Sequence, residues 1–272
     1  MLDVYKCSPA EFVENSRIPL RVVEAEQDMY EEIAQIMIDR IQKSKGKRVV
    51  FICPVGPINQ YHVFVKKVNA NNISLKNVWF VNMDEYLDDN DQAVSTENSL
   101  SFRGFMQKVV YSQIKPELIM PEEQRLFPLP GQEQKIDDLL GAFGSDCCLT
   151  GVGINGHIAF NEPPAKSDPI TDKEYSQVNT RCLNLSKETI VNNGSRKIKG
   201  ALELMPHRCI SLGMRQLLAT KMIKIYLYCD WQWGIMRKIA LQPPTRLAPA
   251  SFLQLHPNSE MVITKELLNT VL

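Results

Sequence analysis

Hydrophobic positions change period repeatedly along the chain, and each change marks an element. Met29, Ile33, Ile36, Met37 and Ile41 fall on one stripe of a helix over Asp28–Lys43. A short strand at Arg21–Val23 precedes it, and residues 1–20 show no period and read as an extension. Arg48–Ile52 (RVVFI) is a continuous apolar run and predicts a buried strand. It enters the turn Pro54-Val55-Gly56-Pro57-Ile58-Asn59, and Tyr61–Val68 then reads as a helix. Val78–Asn82 (VWFVN) predicts the next strand, ending at Met83-Asp84-Glu85-Tyr86. The acidic stretch 87–99 reads as a surface loop, followed by a helix from Ser101 to Val110 or beyond. Residues 115–132 carry four prolines and read as a connection. Gln132–Ala142 predicts a helix and Cys147–Thr150 a third central strand. Residues 163–175, rich in proline and charge, read as a mobile flap. Strands are expected at Val178–Leu185 and Lys224–Cys229, with an apolar CISLG run after Pro206 between them. A helix is expected from Trp233 to Ala240, and a strand end or turn at Leu253–Pro257. Alternating strands and helices predict an α/β fold, a doubly wound, mostly parallel sheet flanked by helices.

Composition changes this picture only by exclusion. A chain of 272 residues fits one large domain, here 21–272, better than two small ones. Lys+Arg and Asp+Glu balance at 31 each, so no global field favours nucleic acid or an anionic membrane. No apolar run approaches the roughly 20 residues that span a bilayer. The opening MLDVYKCSPAEF has neither the basic start nor the apolar centre of a signal peptide. Seven cysteines, an odd number set mostly in apolar runs, read as reduced thiols of a cytoplasmic protein. No CxxC pair suggests structural zinc.

Chemistry concentrates at Thr150–Pro164, TGVGINGHIAFNEPP. Gly151, Gly153 and Gly156 follow an expected strand with the GxGxxG spacing of a dinucleotide site. The continuation HIAFNEPP argues against that site, because Pro163-Pro164 stops the helix it requires. What remains is a tight turn with backbone free to approach a ligand, a histidine able to exchange protons near neutrality, and Glu162 five residues further on.

GVGINGHIAFNEP resembles the signature of the glucosamine-6-phosphate deaminase family. NMDEY at Asn82–Tyr86 and LQLHP at Leu253–Pro257 resemble further family segments, in the right order. The resemblance runs from about residue 20 to the end. AFNEP separates the chain from the related sugar-phosphate lactonases, which share the fold. The resemblance implies a catalytic domain that converts a 2-amino-2-deoxyhexose 6-phosphate to a ketose 6-phosphate and ammonia, as an isomerase and hydrolase in a cytoplasm. It implies Asp84 as the carrier of a proton between C2 and C1, His157 as the ring-opening group, and Glu162 as its supporting carboxylate. Asn155 stands where many members have aspartate; it can accept a hydrogen bond from the imidazole but brings no charge. Acid–base groups suffice for this chemistry, so no metal or organic cofactor is implied. The partner implied is a small sugar or sugar phosphate, with homo-oligomerisation left open.

At the phosphate the resemblance weakens. Where the family has hydroxyls in the turn after the first strand, this chain has Val55, Gly56, Pro57 and Ile58, and Pro57 also removes a backbone donor. A family lysine falls near Gln232 and a family arginine near Ser186. Arg215 stands where the family has a small residue, and is either a replacement cation beside Gly56 or a solvated helix-start arginine. Glu85, Gly153 and Gly156 complete the candidate binding set. Trp231 and Trp233 read as a stacking wall for a sugar or as core, and His256 as closing the pocket floor or orienting a loop. Two alternatives stay open: an enzyme of this fold with a changed or non-phosphorylated sugar, and a catalytically silent sugar-binding regulator.

Overall fold

A computed structural model describes residues 3–271. Met1 and Leu2, which open the expected extension, and Leu272, which closes the expected domain, lie outside the described residues. In chain order the strands are Leu20–Val23 (β1), Val49–Cys53 (β2), Val78–Asn82 (β3), Asp84–Leu87 (β4), Arg125–Leu126 (β5), Cys147–Thr150 (β6), Arg181–Asn184 (β7), Arg208–Ser211 (β8), Ile223–Leu227 (β9) and Ser259–Thr264 (β10). The α-helices are Pro9–Asn15 (α1), Glu26–Lys43 (α2), Gln60–Ala70 (α3), Phe102–Met106 (α4), Glu133–Phe143 (α5), Asp172–Tyr175 (α6), Lys187–Lys197 (α7), Met214–Leu218 (α8), Trp233–Leu241 (α9) and Lys265–Asn269 (α10).

β2 (VVFIC) is buried at every position, as a strand must be when helices cover both faces of its sheet. It lies inside a seven-stranded sheet ordered β1-β10-β9-β6-β2-β3-β5, with every pairing parallel. Separate apolar clusters cover the two faces. α2 supplies Met29, Ile33, Met37 and Ile41 to one. α9 supplies Ile235, Met236 and Ile239 to the other. From β2 the chain moves outward to β3, and β6 later returns on the other side of β2. At this switch in strand order a crevice lies beyond the strand ends, where open α/β sheets bind ligands.

A second sheet was not foreseen. One residue after β3 the chain leaves the parallel sheet, and β4 pairs antiparallel with β8, which pairs antiparallel with β7. DEYL is too short to show a period of its own. Under this sheet Tyr86, Phe102 and Phe160 form a ring cluster with centroids 5.0–5.9 Å apart. The expected helix from Ser101 continues past α4 as a π-helical turn, Gln107–Tyr111. The expected turn at Leu253–Pro257 falls mostly in a 3-10 segment, Pro249–Leu255. No described helix is long and apolar enough to cross a membrane.

Residues 3–20, expected as part of an extension, are tied into the core. Ser8 and Glu11 cap α1 reciprocally. Phe12 and Ile18 are 0% exposed, and the Arg17 N–H donates to the Ala240 carbonyl on α9 at 2.9 Å. The 163–175 stretch, expected as a mobile flap, is anchored at its end. Thr171 and Glu174 form a capping box on α6, and the buried Tyr175 hydroxyl donates to the Glu162 carbonyl at 2.7 Å. Phe12→Ala is expected to lower unfolding free energy by about 3–5 kcal/mol, the usual cost of emptying a phenylalanine site in a core. A urea midpoint equal to wild type would return this segment to the status of an appendage.

Candidate active site

The crevice is a cleft of about 320 Å³. Its walls come from the turn after β2 (Val55, Gly56, Pro57, Ile58), the β3–β4 junction (Met83, Asp84), the loop after β6 (Gly151, Gly153, His157) and the end of β9 (Tyr228, Cys229, Trp231). α7 closes it with Asn192, Asn193, Arg196 and Lys197.

The loop after β6 turns back on itself through Gly153 N–H to the His157 carbonyl and Gly156 N–H to the Gly153 carbonyl, both 3.0 Å. Gly156 sits at φ +89° against Ala248 and Ile235. A Cβ on Gly153 would stand 2.0 Å from both Cε1 and Nε2 of His157, so the imidazole lies directly on this glycine. Ala159, at φ +51°, bends the chain between His157 and Glu162.

Asn155 orders the polar groups. Its Nδ2 donates to Glu162 Oε2 at 2.6 Å and to Ser186 Oγ at 2.9 Å. Its Oδ1 therefore faces His157, accepting the backbone N–H at 3.2 Å and meeting Nδ1 at 2.9 Å. An amide oxygen only accepts, so Nδ1 carries the proton, and Nε2 of the neutral ring is the lone-pair nitrogen. Among the described residues Nε2 has no hydrogen-bond partner. Thr189 Oγ1 lies 3.2 Å from Nδ1, and Glu162 Oε2 3.7 Å. Burial works to raise the Glu162 carboxyl, but its contacts with His157, Thr189 and Asn155 outweigh burial and hold it down at about 2. Its other oxygen, Oε1, is buried without a partner.

Asp84 is 6% exposed at the head of β4. Burial pushes its carboxyl up to about 8; Lys197 opposes that rise and Glu85 adds to it. Glu85, placed in the binding set from sequence, points away from the cleft. It is 0% exposed and caps α4, accepting from Ser101 Oγ and from the Phe102 and Arg103 backbone N–H groups at 2.9–3.0 Å. Strand alternation sends neighbouring side chains to opposite faces, so Asp84 and Glu85 cannot share a site.

Arg215 does not reach Gly56. It is an exposed residue of α8 whose charge acts on Asp137, outside the cleft. Gln232 lines the cleft but its amide is engaged, accepting from Tyr228 N–H and Cys229 N–H at 3.0 Å and donating to the Val152 carbonyl at 2.9 Å. Ser186 is the N-cap of α7. The tryptophans divide: Trp231 is at the cleft with the Arg196 guanidinium 5.0 Å over its ring, and Trp233 is buried against Tyr5 and Arg237. His256 holds a loop through the Thr220 carbonyl and Asn258 N–H, away from the cleft. The cations that sequence reasoning missed are Arg196 and Lys197. Their signal was a serine N-cap at Ser186 and a basic final turn, a helix signature without an apolar stripe.

No family model matches the chain. It is 26% identical over 247 residues to a glucosamine-6-phosphate deaminase of Shouchella clausii, covering 88% of this chain and 92% of the relative. A glucosamine-6-phosphate deaminase of Mycoplasmopsis pulmonis is 25% identical over 244 residues, covering 88% and 90%. The chain is a homologue of the glucosamine-6-phosphate deaminases. The fold agrees: a monomeric glucosamine-6-phosphate deaminase of the NagB superfamily superposes with a TM-score of 0.78 at 21% identity, covering 92% of this chain and 98% of that one. A 6-phosphogluconolactonase from Trypanosoma brucei has the same fold, with a TM-score of 0.63 at 14% identity, covering 93% and 98%. Against this deaminase background, α7 is where the cleft's positive charge resides, not the two positions at which the resemblance expected cations.

The depressed Glu162 carboxyl makes a pH prediction. A carboxyl held below its unfolded value of 4.5 stabilises the fold above that pH, and the contribution is lost as pH falls toward about 2. That difference corresponds to on the order of 3 kcal/mol. Glu162→Gln should therefore lose correspondingly less stability than wild type between pH 5 and pH 2, read from urea unfolding at stepped pH. Parallel curves for the two proteins would contradict this.

Proposed function

We propose that this protein is an amino-sugar-phosphate deaminase/isomerase, acting on a glucosamine 6-phosphate-like substrate to give a ketose 6-phosphate and ammonia. The observation that carries the reading is one cleft at the strand ends, with Asp84 on one wall and His157 on another; Asn155 and Glu162 do not line the cleft but are linked behind the imidazole. In this reading His157 Nε2 accepts the anomeric hydroxyl proton and returns it to the ring oxygen, opening the pyranose. Glu162 holds the imidazolium through Asn155 and by its own charge. Asp84 in its ionised form takes the C2 proton and delivers it to C1, while one amine proton passes to O1; the C1 aldehyde becomes a hydroxymethyl group and an imine is left at C2. Water adds there and ammonia departs, so the net reaction is hydrolytic. Asn155 supplies orientation where a carboxylate would also supply charge.

The phosphate is assigned to the end of the cleft under Arg196. The turn 55–58 offers no hydroxyl, and Gln232 holds the loop with its amide. Arg196 leans over Trp231 from another element and gives a planar fork suited to a phosphate. One observation favours a second reading, a non-phosphorylated amino sugar: the apolar side chains of Val55, Pro57 and Ile58 face the same cleft.

Two measurements test this. Ammonia release from glucosamine 6-phosphate should be detectable, and Asp84→Asn should lower kcat by about 10²–10⁴-fold with ligand binding retained. Near-normal turnover in that variant would remove Asp84 from the proton path. Arg196→Ala should raise KM at least about tenfold, the loss of one charge-assisted contact, and should abolish competition by inorganic phosphate. Arg215→Ala should change neither. Turnover of free glucosamine with no phosphate competition would select the second reading.

A further inference from the structure

Lys197 has no part in the scheme above, yet its ammonium lies inside the cleft. Nζ sits 4.6 Å over the Phe102 ring and 5.5 Å over the Tyr86 ring. Tyr86 is two residues beyond Asp84 on β4, so both side chains leave the strand on the same face, roughly 7 Å apart along it. Asn193, one turn earlier on α7, donates to the Tyr86 hydroxyl at 3.1 Å and fixes the helix over that face. Phe102 and Asp84 line the cleft together. An ammonium held by the two rings is therefore on the carboxylate's side of the strand.

The other charges nearby are already engaged or lie elsewhere. Glu85, on the opposite face of β4, is paired with Arg103 at 3.4 Å and accepts from the α4 N-terminus. Arg196, the next residue on α7, faces Trp231 and Cys229. His157 and Glu162 serve each other across the cleft. Behind Asp84 are the thiols of Cys148 and Cys209, both raised by burial and neutral. Lys197 is the cation left to act on Asp84.

We propose that Lys197 is a positioning residue for Asp84: its ring-held ammonium offsets part of the cost of ionising the buried carboxylate and so eases its taking of the substrate proton. The field acts in both directions. Burial lowers the Lys197 amine to about 8 even though Asp84 and Glu85 work to raise it. The proposal rests on Asp84 being the proton carrier, but the charge coupling can be read without turnover.

The test follows the Asp84 carboxyl by carbon NMR through a pH titration of wild type, Lys197→Met and Lys197→Arg. Removing the cation should move the Asp84 midpoint upward by about one unit or more, and arginine should restore it. The reciprocal variant, Asp84→Asn, should lower the pH at which the Lys197 amine becomes reactive in competitive acetylation. If turnover is present, the acid limb of kcat/KM should move up in Lys197→Met by the same amount, with activity recovering at high pH. An Asp84 midpoint unchanged by Lys197→Met overturns the inference. Should Lys197→Met not fold, an Asp84→Asn protein with unaltered Lys197 reactivity does the same. Coupling without ammonia release from any amino sugar leaves this inference standing and removes the proposed reaction instead.

Discussion

An amide has one accepting end and one donating end, and the cleft is ordered by the way Asn155 uses both. Its nitrogen must face the carboxylate of Glu162, because nothing else there can accept so strongly. Its oxygen must then face His157, and that fixes which ring nitrogen holds the proton. The glycine beneath the ring, the left-handed Ala159 and the Tyr175 hydroxyl on the Glu162 carbonyl all hold the backbone that makes this geometry possible. Aspartate at position 155 would accept from the imidazole but could not donate to Glu162, so two carboxylates would confront each other.

The fork in the parallel sheet places this unit opposite Asp84. Strands β2 and β6 are hydrogen-bonded neighbours whose following turns both line the cleft, and only Met83 separates β3 from β4. Four strand ends thus deliver four different kinds of wall to one volume. The aromatic cluster of Tyr86, Phe102 and Phe160 joins the second sheet to that volume. It also gives a lysine ammonium two π faces.

Much of this was legible because burial leaves a period. RVVFI, VWFVN and KIYLYC read directly as interior strands, and the stripe of α2 is regular over four turns. The strand-end positions of Asp84 and His157 follow from the same reading. α7 was illegible because KETIVNNGSRK has no apolar stripe: Val191 is exposed, and Gly194 is there to admit Leu202 from the next segment. Its order comes from a cap and from contacts distant in sequence. Arg215 failed for a related reason, since where a helix points relative to a cleft depends on packing that no local pattern encodes. Phe12 and Ile18 lack a period because they plug holes left by α9 and are not members of a repeating face.

α7 has a further consequence. Its first residue follows Ser186, the cap bonded to Asn155, and its last two are Arg196 and Lys197. Its 11 residues make a strut of about 16 Å, tying the orientation of the imidazole at one end to the cleft's cations at the other. Deleting a single residue within it would swing both cations by about 100° around the helix axis while leaving the cap in place. The cleft therefore depends more on the length of this helix than on most of its letters: a substitution on its outer side leaves both ends in place, whereas an insertion or deletion moves one against the other.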